Sequence, residues 1–161
     1  MQGTEVLNDV PATALRAARR AYLAVEKYGV NVAMRRLIDR GLAPDALALL
    51  ETSGRRSGRP HRTPVGNGLV DDTFWVIAER GLQADYVRNL QADPSVWVKV
   101  AGCWRAGTAE VLPDDDVPAR VRAILEANPS LARRADAKLV DVSAAIHGSV
   151  PVTVRIDLGV E

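Results

Sequence analysis

The feature that most restricts the fold is a hairpin written into residues 96–112. Val96, Val98 and Val100 alternate with Trp97 and Lys99, Ala101-Gly102 leaves two residues for a turn, and Trp104–Leu112 runs back. A turn that short joins only antiparallel neighbours. The same period of two closes the chain, where Val150, Val152, Val154 and Ile156 alternate with Pro151, Thr153, Arg155 and Asp157. Further strands are predicted over Ala46–Thr52, Arg62–Gly68 and Thr73–Ala78, the last with Phe74 and Val76 on one face and Trp75 and Ile77 on the other. About six antiparallel strands with no strand–helix–strand repeat argue against a doubly wound sheet and for an α+β barrel with flanking helices.

Four stretches read as helix. Residues 12–40 follow Pro11 and carry Leu15, Ala18, Tyr22 and Val25 at helical spacing, with Gly29 as an interruption. Residues 84–91 end at Asp93-Pro94. Residues 117–127 follow Pro113-Asp114-Asp115-Asp116, whose acids suit a helix N-terminus, and a last helix covers 130–145. With 161 residues and 47% hydrophobic side chains, the expectation is one folded domain over 1–161 with an N-terminal helical segment.

Charge and cysteine content narrow the functions. A net charge of +1 offers no global attraction to nucleic acid or membrane, so electrostatic work must be local. The helix at 12–40 holds seven Lys or Arg against two acids. That is either a solvated face or a surface drawn to an anionic cofactor tail or an anionic membrane. Cys103 alone rules out an internal disulfide and fits a reducing compartment. MQGTEVLNDV lacks a secretory pattern, and no apolar run is long enough to span a bilayer, so a cytoplasmic protein is expected, with peripheral membrane contact the alternative. His61 and His147 stand apart from each other and from Cys103, so no metal site is expected, although His61 beside the arginines could touch phosphate. Trp75, Trp97 and Trp104 sit on strands without a nucleic-acid module around them.

The densest chemical signal is Thr52-Ser-Gly-Arg-Arg-Ser-Gly-Arg-Pro-His-Arg-Thr-Pro64. Four arginines (Arg55, Arg56, Arg59 and Arg62) fall within eight residues, between glycines and beside hydroxyl side chains. Glycine lets backbone N–H groups approach an anion, and guanidinium groups match phosphate oxygens bidentately. The Gly-Lys-Ser/Thr ending of a Walker loop is absent.

The stretch Leu50–Pro64 closely resembles the deazaflavin-dependent nitroreductase family of actinobacteria. So does Trp75-Val-Ile-Ala78 followed by Gly81 and by Tyr86-Val-Arg-Asn-Leu-Gln-Ala-Asp-Pro-Ser-Val-Trp-Val98. The resemblance covers about residues 45–157. It implies a split β-barrel similar to the FMN-binding oxidases, reduced coenzyme F420 as hydride donor, and a small quinone, enone or nitro compound as acceptor. On that resemblance Arg55, Arg56, Ser57, Arg59 and Arg62 would line the phosphate and tail site. Thr63, Pro64 and Val65 would pass beside the deazaflavin ring, and Ala78, Glu79 and Arg80 would form the opposite wall. The proton would come from solvent or from Tyr86, the candidate catalytic residue, which stands where a Trp is common in the family. Glu79-Arg80 replaces the small residues many members carry, and Leu131-Ala-Arg-Arg134 lacks the tyrosines that cap the pocket of nitro-reducing members. Arg133, Arg134 and Lys138 would instead make a basic pocket mouth. FMN or FAD on the same barrel, or a non-catalytic cofactor or lipid binder, are the alternatives. A homodimer is expected because split barrels commonly pair.

Overall fold

The computed structural model describes residues 36, 40, 45–129 and 149–159. The helices expected over 12–40 and 130–145 lie outside them, apart from Arg36 and Arg40, where Arg40 N–H donates to Arg36 O. The expected basic mouth at Arg133, Arg134 and Lys138 also lies outside.

Among the described residues, seven strands build one antiparallel sheet: β1 (Leu47–Ser53), β2 (Pro60–Gly66), β3 (Leu69–Val70), β4 (Thr73–Ala78), β5 (Ser95–Val100), β6 (Cys103–Leu112) and β7 (Val152–Leu158). Their order is β2-β1-β5-β6-β7-β4-β3. The seventh strand beyond the expected six is the two-residue β3, too short to show a period of two in the sequence. The second strand also begins and ends two residues earlier than expected, at Pro60 and Gly66.

Connectivity forces this sheet to curl. β2 and β3 occupy opposite edges, yet only Asn67 and Gly68 join them. Seven strands laid flat would set their edges about 29 Å apart at about 4.8 Å per step. The three steps from Gly66 to Leu69 reach about 10 Å at most. The edges must therefore meet at this corner, and the bonds there show it. Asn67 N–H donates to Ala46 O (2.8 Å), its side-chain amide donates to Asp45 O (2.9 Å), and Trp75 N–H donates to Gly68 O (2.9 Å). Gly68 lies so close to β4 that an added Cβ would fall 1.8 Å from Trp75 O. β2 and β3 share no ladder, so the barrel is split along that seam.

The register places one apolar face inside. Ala48 and Leu50, Val96, Val98 and Val100, Phe74, Val76 and Ala78, and Val152, Val154, Ile156 and Leu158 form a continuous buried cluster. Helix α1 (Asp85–Ala92) adds Val87 and Leu90 to it. Helix α2 (Val117–Ala127) packs on β3, β4 and β7 from the other side. Asp116 caps α2 by accepting from Ala119 N–H (3.0 Å), as its acidic approach predicts. Its neighbour Asp115 is held below the usual carboxylate range by Arg120, which donates from Nε at 3.1 Å; burial opposes the shift. Arg120 in turn lies 3.7 Å over the Trp75 ring. Among the described residues no helix is long and apolar enough to cross a membrane.

Candidate functional site

Strand alternation decides what the arginine-rich connection presents. Thr52 is inward on β1 and buried, and its register partner on β2 is His61. Leu50 pairs with Thr63 and Ala48 with Val65, so His61, Thr63 and Val65 share the inner face. Arg62 and Pro64 belong to the outer face, opposite Glu51 and Leu49.

Between the strands, residues 54–59 form a tight loop. Gly54 N–H donates to Arg59 O (2.8 Å), Gly58 N–H to Gly54 O (2.7 Å) and Arg59 N–H to Ser57 Oγ (3.2 Å). Gly58 takes a positive φ of 67°, which glycine adopts without strain. The loop is then tied to α1 through Asn89. Asn89 Oδ1 accepts from Arg55 N–H (3.2 Å) and from the Arg55 guanidinium (3.0 Å), while Asn89 Nδ2 donates to Thr52 Oγ1 (3.1 Å). Asn89 is only 4% exposed, and its bond to Thr52 is buried, where leaving either group unpaired costs most. Arg55 also pairs with Asp85 at 3.1 Å.

A cleft of about 350 Å³ opens between this loop and α1. Thr52, Gly54, Arg55, Arg56, Ser57, His61, Arg62 and Thr63 line one side and Asp85, Tyr86 and Asn89 the other. Asp85 is the one acid in this lining, and Arg55 already pairs with it. The cleft is therefore a local positive site on a nearly neutral chain.

The four arginines divide into two kinds. Arg55 is committed to Asn89 and Asp85 and fixes the loop. Arg62 borders the cleft, but its Nε donates to Glu51 at 2.7 Å and its guanidinium lies 5.1 Å over Trp104 on the outer face. Arg56 and Arg59 are exposed and make no ion pair with a described residue. The backbone N–H groups of Arg56 and Ser57 are likewise outside the loop's own bonds.

The remaining expected site residues fall elsewhere. Val65 packs against the core, and Pro64 faces outward. Ala78 is fully buried and paired with Val152, while Glu79 O accepts from Ser149 Oγ (3.1 Å) and Arg80 is exposed before the short 3-10 turn at Gly81–Gln83. Ala78, Glu79 and Arg80 do not line this cleft; its far wall is α1. Tyr86 is brought into it, half-buried. His61, expected beside the arginines as a possible phosphate contact, lines the cleft by strand parity, and Asn89, which has no site role on the sequence reading, lines it by position on α1. No cluster of metal-ligating side chains occurs among the described residues.

The sequence pattern of the F420H(2)-dependent quinone reductases matches residues 24–146, well over half of the chain. The chain belongs to that family. It is a reductase that uses coenzyme F420, which sets aside the FMN, FAD and non-catalytic alternatives. No curated protein matches it. Solved structures share the fold at low identity. A protein described as an F420 reductase is 16% identical with a TM-score of 0.51, covering 81% of this chain and 97% of its own. A structure described as a domain-swapped dimer is 16% identical with a TM-score of 0.51, covering 78% and 94%. An FAD-binding protein from Mesorhizobium loti is 19% identical with a TM-score of 0.46, covering 80% and 88%.

Proposed function

We propose that the cleft between the β1–β2 loop and α1 holds the anionic tail of coenzyme F420, and that the acceptor is a small quinone or a related enone or nitro compound. The observation that carries the reading is the pair of uncommitted guanidinium groups, Arg56 and Arg59, beside two unused backbone N–H groups on a loop pinned by Asn89. That donor set suits phosphate and carboxylate oxygens. When bound, the deazaflavin supplies a hydride. Arg56, Arg59 and Ser57 would hold the tail, Arg55 positions the loop, and Thr63 and Tyr86 face the space toward the barrel. Quinone as the acceptor rests on the family's description.

Reduction of a quinone to a hydroquinone takes one hydride and one proton. Tyr86, which lines the cleft, would give that proton to the acceptor oxygen as it gains charge, and water would restore it. A homodimer belongs to the same proposal, supported by the fold shared with the domain-swapped dimer; sedimentation of the purified protein tests it. The function is tested by anaerobic oxidation of F420H2 with a soluble naphthoquinone. Wild type should turn over, and Tyr86→Phe should lower kcat about 100-fold with little change in cofactor affinity. No oxidation with quinone, enone or nitro acceptors would overturn the acceptor class. An unchanged kcat would remove the phenol from the reaction.

A further inference from the structure

His61 lines the cleft against Gly54. A Cβ placed on Gly54 would meet His61 Nε2 at 2.7 Å and Ser57 Oγ at 2.7 Å, so the imidazole occupies the place a side chain at residue 54 would take. It lines the cleft beside Arg56 and Ser57, and neither ring nitrogen hydrogen-bonds a described residue. A polar ring packed over a glycine, with both nitrogens unused, is placed to meet a ligand.

The charged and titratable groups around it come from three elements. The loop brings Arg55 and Arg56, α1 brings Asp85 and Tyr86, and β2 brings Arg62. Asp85 is engaged with Arg55 and Arg62 with Glu51, and among the described residues no carboxylate pairs with His61. A neutral imidazole can donate one hydrogen bond, whereas an imidazolium donates two and carries charge. Histidine is also the side chain that exchanges these forms between about pH 5 and 8.

We propose that His61 contacts an oxyanion of the cofactor tail as imidazolium, so that the affinity for coenzyme F420 falls as pH rises. This rests on the tail lying in this cleft, as proposed above. Linkage fixes the sign. If the complex favours protonated His61, affinity is greatest below the imidazole's titration and is lost above it. The loss between the two limits is about 10- to 100-fold, the worth of one charged hydrogen bond.

The test is the dissociation constant of oxidised coenzyme F420 by equilibrium dialysis from pH 5.5 to 8.5, with wild type, His61→Gln, His61→Arg and Arg56→Ala. His61 is exposed on an edge strand, so these variants should fold as wild type does, which circular dichroism checks. The cofactor's own titrations are common to all four proteins and cancel in the comparison. His61→Gln should bind throughout with the weak affinity of wild type at high pH, and His61→Arg with the tight affinity of wild type at low pH. Calorimetry across the same pH range, in buffers of different ionisation enthalpy, should show proton uptake on binding by wild type and less by His61→Gln. If His61→Gln keeps both the affinity and the pH profile of wild type while Arg56→Ala weakens binding, the role of His61 is overturned and the cleft stands. If neither variant changes binding, the cleft itself is the wrong place for the tail.

Discussion

Two antiparallel hairpins of the same sheet are closed in opposite ways. The β5–β6 hairpin uses the smallest connection available, Ala101-Gly102, with positive φ at both residues (49° and 80°). That backbone suits the twist of its strands and needs nothing from the rest of the molecule. The β1–β2 hairpin spends six residues where two would serve, and α1 ties it down through Asn89 by bonds spanning 34 and 37 positions of sequence. A connection needs no such tether; a rigid anion-binding loop does. The difference teaches that elaboration beyond the demands of chain reversal marks the site.

The first way to break the comparison is to cut the tether. Asn89→Ala removes the partner of Arg55 and of buried Thr52 Oγ1. It should cost about 2–3 kcal/mol of stability and weaken F420 binding about tenfold or more. Urea denaturation and equilibrium dialysis measure the two. A wild-type midpoint would mean the loop holds its shape alone. The smaller effect belongs to the other hairpin. Ala101 pays a steric cost in its left-handed conformation, so Ala101→Gly should stabilise the protein by about 0.5–1 kcal/mol. Cofactor affinity should not change, and a loss of affinity would couple this turn to the site.

Much of this was legible in the sequence because its signals are local. The alternation of Val96, Val98 and Val100 set the inner face of β5, and Asp116 before Val117 set the start of α2. The arginine loop was visible for the same reason, as a run of one chemistry between two strands. Its sorting was not. Whether His61 or Arg62 faces inward depends on the register of β2 against β1, and one step of slip exchanges them. A six-residue loop does not fix that register, so Arg62 read as a site arginine like the others, and His61 read as a phosphate contact only through its arginine neighbours. Asn89 was hidden for a related reason. Nothing near it in the chain shows that its partners stand at Arg55 and Thr52. The barrel was legible in the run of antiparallel strands; the corner where its edges meet was not, since that depends on which strands Asn67-Gly68 connects.

The central claim is that the uncommitted arginines, and not the committed Arg62, hold the cofactor tail. It is tested most directly by the dissociation constant of coenzyme F420 for Arg56→Ala/Arg59→Ala set beside Arg62→Ala. The double variant should bind at least about 100-fold more weakly, at about 1.5–3 kcal/mol for each charged hydrogen bond lost, while Arg62→Ala stays within about threefold of wild type by the modest worth of exposed ion pairs. Wild-type affinity in the double variant, or a larger loss in Arg62→Ala than in the double variant, would contradict the account.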